Sequence, residues 1–137
     1  MKIILDKGAK MPTKAHSTDA GYDLYARDSQ IIGAKESATI DTGVHIELPV
    51  GTVGMIKSKS GLNIRYGITS EGVIDVGYTG SIVVKLYNHS GVDYKVEAGD
   101  KITQLVILPL ADVGELEVVE HFEETERGSN GFGSSGR

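Results

Sequence analysis

An aspartate in a glycine-rich turn is the first residue whose position suggests chemistry. Asp75 follows the apolar Ile74, and Tyr78 comes three residues later, in the run DVGYTGS between two apolar stretches. Two glycines near a turn with apolar residues on both flanks predict a β-hairpin. A carboxylate in such a hairpin would be held rigidly at the mouth of a pocket, whereas the plainer alternative is an aspartate that only caps the turn.

Two further polar positions suggest ligand binding. Ser60 and Gly61 stand at the start of a short stretch with room for a helical turn, where exposed N–H groups and a hydroxyl suit an anion. A serine that only caps a helix is an equally common arrangement. Gln104 lies on an otherwise apolar stretch, where its amide must bond either a ligand or a neighbouring backbone group. The 4 histidines show no metal-ligand spacing.

Composition limits the partners that the chain can have. With 137 residues, 39% of them hydrophobic, one core in one unit over residues 1–137 is expected. The net charge of -5 gives no basic field for a nucleic-acid polymer, and the lack of cysteine rules out disulfides and thiolate metal sites. No apolar run suits a signal peptide or a membrane span, so a soluble cytoplasmic protein is expected.

The elements that must position these residues have the pattern of β-strands. The chain has 18 glycines, and its apolar segments are short, rich in Val and Ile, and interrupted by Gly, Asn or Asp. Because no window shows a sustained helical period, the pattern predicts an all-β antiparallel fold. Strands are expected at residues 37–48, 52–58, 81–88, 101–108 and 116–119, and a helical turn or two at 61–67. The Gly/Ser-rich end predicts a mobile tail.

Five short segments occur in the order of the five motifs of the trimeric dUTPases, the deoxyuridine 5'-triphosphate nucleotidohydrolases. They are AGYDLYA (20–26), SKSGLN (58–63), GVIDVGYTG (72–80), GDKITQL (99–105) and the tail at 127–136. The chain resembles that family over nearly its whole length. The resemblance implies a jelly-roll-like (β-clip) subunit and a homotrimer with active sites at subunit junctions. It also implies a C-terminal arm, residues 120–137, that closes over a neighbour's site.

The same resemblance implies an activity. Members of the family hydrolyse dUTP to dUMP and pyrophosphate with Mg²⁺, which keeps uracil out of DNA and supplies dUMP for thymidylate synthesis. Asp75 matches their general base, and Tyr78 matches the tyrosine that packs against deoxyribose and leaves no room for a 2′-hydroxyl; the plainer alternative for Tyr78 is a half-exposed strand aromatic. Uracil is expected to pair with backbone groups near Gly72, Ile74 and Val83.

The phosphates and the metal are assigned by resemblance to other segments. Lys59, Ser60 and Gly61 match the phosphate-binding turn, and Gln104 matches a residue that bonds a phosphate oxygen. Asp23 resembles the aspartate that steadies Mg²⁺ through its water ligands, which suits an ion that keeps several waters. The alternative for Asp23 is a carboxylate that only starts a strand or turn.

The tail supplies the remaining expected contacts. Arg127 resembles the arginine that grips the γ-phosphate, and Phe132 resembles the aromatic that stacks over uracil. Ser134 and Ser135 match donors to the phosphates, and the backbone at glycines such as Gly133 can approach them closely. The alternative is a flexible linker or cloning remnant, which Phe132 argues against.

Two departures and two rival functions remain. Lys59 stands where the family ordinarily has Arg, and Gly77 stands where a second acid is common. A lysine neutralises phosphate but lacks the forked contact of a guanidinium. Glu71 next to Gly72 leaves open a dCTP deaminase or a bifunctional deaminase of the same superfamily. A dUTPase scaffold with a protein-binding regulatory role is the other alternative.

Overall fold

The described part of the chain folds into antiparallel β-sheets with one short helix. The computed structural model describes residues 1–131. Its elements are, in chain order, β1 (Lys2–Leu5), β2 (Gly21–Tyr25), β3 (Gln30–Ile32), β4 (Ser37–Asp41), β5 (Val44–Glu47), β6 (Thr52–Lys57), α1 (Ser60–Tyr66), β7 (Ile68–Ile74), β8 (Val83–Asn88), β9 (Tyr94–Val96) and β10 (Lys101–Pro109). The all-β, jelly-roll-like prediction is confirmed.

The main sheet has six strands in the order β2-β10-β6-β7-β8-β4, and two-stranded sheets β1-β5 and β3-β9 flank it. Strand side chains alternate between two faces, and the apolar ones on the inner face form one core. Leu24, Leu86 and Val96 are fully buried in that core. Along β8 the alternation is complete, with every second residue buried.

The helix lies between β6 and β7, at the place that the sequence predicts. It begins at Ser60 and ends at Tyr66, after which Gly67 takes a left-handed conformation with φ of 66° and its N–H bonds the carbonyls of Asn63 and Leu62. Glycine adopts this conformation without a steric cost, so it ends the helix and lets β7 begin at the next residue.

Two strand predictions need correction. The segment 37–48 is two strands rather than one, because the chain turns between Asp41 and Val44 and sends β4 and β5 into different sheets. The segment 116–119 is not a strand: from Leu110 to Gly131 the described chain forms no helix or strand, and Leu116 and Val118 are almost fully exposed. Apolar alternation alone does not make a strand without a partner to bond. No helix within residues 1–131 is long and apolar enough to cross a membrane.

Candidate functional site

A cavity of about 230 Å³ opens where β7 and β8 separate. β7 pairs with β8 over residues 68–70, and then with β6 over residues 71–74. The residue before β8 bonds the turn between β4 and β5 instead of β7. Ile82 donates its N–H to the Val44 carbonyl (2.8 Å) and accepts from the Thr42 N–H (3.1 Å). The cavity therefore borders a stretch of β7 backbone from which β8 has turned away. Its lining is Ile56, Glu71, Gly72, Val73, Ile74, Asp75, Tyr78, Ile82 and Val83.

Four of the residues predicted for the base and sugar, Gly72, Ile74, Tyr78 and Val83, line this cavity. Tyr78 lies on the loop rather than on a strand, and its hydroxyl donates to the Ser81 carbonyl at 2.9 Å. Its ring crosses Gly80 so closely that a Cβ there would lie 2.5 Å from the phenolic oxygen. Glycine at position 80 therefore lets the ring lie where it does. A Cβ at Gly72 would face Ile56, which also lines the cavity, at 3.5 Å.

Asp75 directly follows the last residue of β7, at the rim of the cavity. The turn is closed by its backbone, because the Tyr78 N–H donates to the Asp75 carbonyl at 3.2 Å. Within residues 1–131 the exposed carboxylate of Asp75 accepts no hydrogen bond. The side chain is thus available to a ligand or a water molecule and does not cap the turn.

A second cluster lies on β2 and β10, around the buried carboxylate of Asp23. Lys59 donates to its Oδ1, and Lys101 pairs with its Oδ2 at 2.8 Å. Burial alone would raise the pKa of Asp23, but the hydrogen bonds from Lys101 and Lys59, with their charges, outweigh it and hold the pKa below its usual value. Two ammonium groups on one carboxylate leave an excess positive charge that suits an anion.

The carboxylate of Asp23 fits Mg²⁺ only through water. Both of its oxygens already accept from lysines, and the described residues contain no group of three or more His, Asp or Glu side chains that could hold a metal directly. A carboxylate oxygen has further lone pairs, so it can still accept a hydrogen bond from a water on a hydrated ion.

Ser60 and Gln104 lie beside this second cluster. Lys59 occupies the cap position of α1 and Ser60 is the first helical residue, so Ser60 is not the capping serine of the plainer alternative. The Gln104 amide donates to the Ser58 carbonyl at 3.1 Å, which is the backbone bond that the sequence left open. That bond uses the nitrogen of the side chain and leaves its oxygen over Gly21.

Sequence reasoning missed the role of Lys101 and two polar contacts between strands of the sheet. Lys101 stands three residues before Gln104 in the segment GDKITQL, but only the register of β10 against β2 shows that it reaches Asp23. Ser70 and Thr103 share a buried hydrogen bond of 2.6 Å, whereas the exposed side chains of Lys57 and Glu71 pair at 3.2 Å. Contacts between distant strands leave no local signal in the sequence.

The two clusters lie toward opposite ends of β6 and β7. Glu71 pairs with Lys57 at the end that leads into α1, and Ile74 pairs with Gly54 at the end that leads into Asp75. Three strand residues span about 10 Å, and Lys59 and Ser60 continue beyond Lys57 in the direction away from the hairpin. One chain therefore does not bring Asp75 next to Ser60.

The tail makes local contacts where it is described. Arg127 donates from Nε to the Asn130 carbonyl at 3.2 Å, and the Asn130 N–H donates to the Arg127 carbonyl at 3.1 Å. The predicted contacts of Phe132, Gly133, Ser134 and Ser135 lie outside the described residues.

Together, these features define an antiparallel β protein with a backbone-lined cavity at one end of two strands and a lysine-rich cluster around Asp23 toward the other. The dUTPase family model matches residues 7–136. The deoxyuridine 5'-triphosphate nucleotidohydrolase of Kluyveromyces lactis is 43% identical over 94% of this chain and 88% of its own length. The enzyme of the same name from Clostridium tetani is 42% identical over 98% of this chain and 94% of its own length.

Solved structures agree with these matches. The Staphylococcus bacteriophage 80alpha dUTPase with dUPNHPP superimposes with a TM-score of 0.92 and 34% identity over 99% of this chain and 98% of that one. A variant of the dUTPase of phage phi11 of S. aureus, described with a structural Mg(II) ion, superimposes with a TM-score of 0.82. It is 30% identical over 90% of this chain and 98% of that one. The chain belongs to the dUTPase family.

The ion pairs at Asp23 predict an acid-sensitive contribution to stability. Asp23→Asn should lower the free energy of unfolding at pH 7 by about 1–3 kcal/mol, because the amide cannot hold two ammonium groups. Because the pKa of Asp23 is lowered in the folded state, this stabilisation is fully present above the unfolded-state pKa of about 3.9. It is lost as the pH falls through the lower folded-state pKa. Urea titrations of both proteins from pH 7 to pH 2 measure it. Asp28→Asn, at an exposed carboxylate, is the control; a gap between Asp23→Asn and wild type that stays constant down to pH 2 contradicts the assignment.

Proposed function

We propose that the chain hydrolyses dUTP to dUMP and pyrophosphate with Mg²⁺. The observation that carries the proposal is the cavity between the diverging strands β7 and β8, with Asp75 and Tyr78 at its rim. Membership of the dUTPase family and likeness to a structure with dUPNHPP, a dUTP analogue, support it. In a cell, the reaction would keep uracil out of DNA and supply dUMP for thymidylate synthesis.

The cavity suits the base and sugar of the substrate. Its volume is below the roughly 300–1,000 Å³ of pockets that take a whole drug-sized ligand, so it fits a part of a nucleotide. Backbone groups of Gly72, Ile74 and Val83 border it, and uracil can pair with their N–H and C=O groups. The ring of Tyr78, held by the Ser81 carbonyl, would stack on deoxyribose and exclude a 2′-hydroxyl.

Asp75 is the proposed general base. Water that attacks a phosphorus atom must lose a proton, and a positioned carboxylate that accepts it contributes about 10²–10⁴-fold to the rate. Asp75 has an exposed carboxylate that is not engaged by the turn, at the end of a strand that the sheet holds on one edge. Such a group can accept the proton without first giving up a hydrogen bond.

The lysine-rich cluster is the proposed phosphate site. Lys59, Ser60 and Gly61 would bind phosphate oxygens, and Gln104 would add a contact through its amide. Asp23 would hold water ligands of the metal ion. Bound Mg²⁺ supplies neutralisation of phosphate charge.

The site is proposed to form between subunits of a homotrimer. Because the hairpin and the lysine-rich cluster lie toward opposite ends of β6 and β7 in one chain, a triphosphate on the cluster of one subunit would meet the Asp75 of another. Residues 1–137 would then act as one dUTPase unit in which the arm, residues 120–137, reaches a neighbour. The exposed, unpaired segment at Leu116 and Val118 is consistent with an arm that finds its partner on another chain.

The tail is proposed to complete the site. Arg127 would bind the γ-phosphate by a charge-assisted contact, and Phe132 would stack over uracil. Gly133, Ser134 and Ser135 would donate to the phosphates. Closure of the arm would position the phosphates and exclude water.

One observation favours a rival activity. Glu71 lines the cavity, where a deaminase of the same superfamily would need an acid close to the base. Its carboxylate, however, pairs with Lys57 and its side chain is 75% exposed, so it does not point to a desolvated acid. Nucleotide substrates separate this rival, and a purely regulatory scaffold, from the proposed function.

Incubation with dUTP, UTP, dCTP and dTTP in Mg²⁺ tests the activity directly. We expect dUMP and pyrophosphate from dUTP alone, because Tyr78 and the backbone of the cavity would select the base and the sugar. Product analysis by chromatography and a pyrophosphate assay gives the answer. Ammonia from dCTP would indicate deamination, and no turnover of any nucleotide would leave only the regulatory scaffold.

Asp75→Asn should keep dUTP binding and lower turnover by at least about 10²-fold, since the amide cannot take a proton from water. Binding is measured by calorimetry and turnover by pyrophosphate release. Asp28→Asn, the same change at an exposed carboxylate, is the matched control. Turnover of Asp75→Asn close to that of the control would remove Asp75 from the catalytic role.

Mixed trimers test the shared site. A chain that ends at residue 126 and a full-length Asp75→Asn chain should each be nearly inactive, yet partly active once their subunits exchange, because some sites then combine an intact Asp75 with an intact tail. Light scattering should give the mass of three chains for each protein. No recovery despite demonstrated exchange would contradict a tail that serves a neighbour, and a fully active monomer would contradict the shared site.

A further inference from the structure

The hairpin loop, residues 75–82, is held from outside by a polar network on the β4–β5 side of the fold. The Thr79 carbonyl lies 2.9 Å from Nδ1 of His45. Two residues later, the Ser81 hydroxyl donates to Oδ1 of Asp41. The loop is mostly exposed, so these contacts limit how far it can move.

His45 contacts two groups that only accept hydrogen bonds. Nδ1 faces the Thr79 carbonyl, and Nε2 lies 3.3 Å from Oδ1 of Asp6. A carbonyl and a carboxylate cannot donate, so Nδ1 must carry a proton to bond Thr79, and the imidazolium form satisfies both partners at once. The side chain is only 25% exposed, which limits competition from water.

Arg27 joins the two anchors of the loop. It donates to Asp6 at 3.0 Å and to Asp41 at 2.8 Å, so the branch through His45 and the branch through Asp41 meet at one guanidinium. Burial would raise the pKa of Asp41, but hydrogen bonds from Ser81 and Gly43, with the charges of Arg27 and His45, outweigh it and keep the pKa below its usual value. Arg27 thus links Asp6, which contacts His45, to Asp41, which holds Ser81.

The anchored residues Thr79 and Ser81 closely follow Tyr78, the loop residue whose side chain lines the cavity. Tyr78 precedes Thr79, its ring crosses Gly80, and its hydroxyl donates to the Ser81 carbonyl. A shift of Thr79 would therefore move the ring of Tyr78, and through the turn bond from the Tyr78 N–H it would also move Asp75.

We propose that His45 is a positioning residue for dUTP binding, through an Nδ1–H bond that holds the Thr79 carbonyl and so fixes Tyr78 over the cavity. His45 does not touch the substrate; it acts through the loop. The inference rests on the proposed dUTPase function and adds to it a residue on β5, outside all five motif segments.

Two amide replacements separate the two contacts of the ring. In His45→Asn the amide occupies the region of Nδ1 and can still donate to Thr79, whereas in His45→Gln it reaches the region of Nε2 and Asp6. We expect His45→Gln to raise KM for dUTP about fivefold, the change expected from one net hydrogen bond, and to reduce the preference for dUTP over UTP. His45→Asn should stay within about twofold of wild type.

Two measurements make the result decisive. A merely structural role would lower kcat by reducing the folded fraction and leave KM unchanged, so KM is the diagnostic quantity. Nitrogen NMR of wild type should show a proton on Nδ1 of His45, and this needs neither activity nor a variant. An unprotonated Nδ1 would overturn this inference and leave the proposed function standing. Equal KM values for the two variants, with a wild type that is active, would do the same. A wild type that does not turn over dUTP would defeat the proposed function, and this inference with it.

Discussion

The antiparallel register of β6 and β7 decides where each part of the candidate site lies. Pairing of Lys57 with Glu71 and of Gly54 with Ile74 directs the chain into α1 at one end and into the hairpin loop at the other. Slipping β7 by one residue against β6 would turn the core side chain Ile74 toward solvent, so hydrophobic burial fixes the register. The separation of the lysine-rich cluster from Asp75 is thus a consequence of core packing, and it is the basis of the proposal that the site is shared between subunits.

The cavity stays open because a few polar bonds draw β8 away from β7. Thr42 is fully buried, and its hydroxyl donates to the Ile82 carbonyl at 2.7 Å while it accepts from the Val44 N–H at 3.2 Å. Leaving a buried polar group unpaired costs about 1–3 kcal/mol, so these bonds hold Ile82 firmly against the β4–β5 turn. The neighbouring backbone of β7 then lacks β8 as a partner beyond Ser70, and a ligand can take that place.

Local patterns in the sequence were enough for the long strands, the helix and the hairpin. β8 alternates between exposed and buried residues, β10 is a nine-residue strand with a continuous apolar run, and Gly67 marks the end of α1. Short strands such as β3 and β9, with three residues each, carry too little pattern to be distinguished from loops. The segment at 116–119 misled the prediction, since an apolar strand pattern shows that a segment needs a partner and not that one is present in the same chain. Of the site, the hairpin residues could be predicted, but the pairing of Lys101 with Asp23 depends on the register between distant strands.

The two departures from the family pattern have separate physical settings. Gly77 has a φ of 91°, a conformation that a side chain rarely adopts, so an acidic residue there would strain this loop even though a Cβ at this position would meet no atom within 4 Å. Lys59 meets one oxygen of Asp23 while Lys101 takes the other, and this division of one carboxylate between two point charges suits lysine better than a forked guanidinium. Since Lys59 and Gly77 lie toward opposite ends of β6 and β7, they do not compensate each other within one chain. In the proposed shared site, coupling between them would pass through the bound nucleotide or across the junction of two subunits.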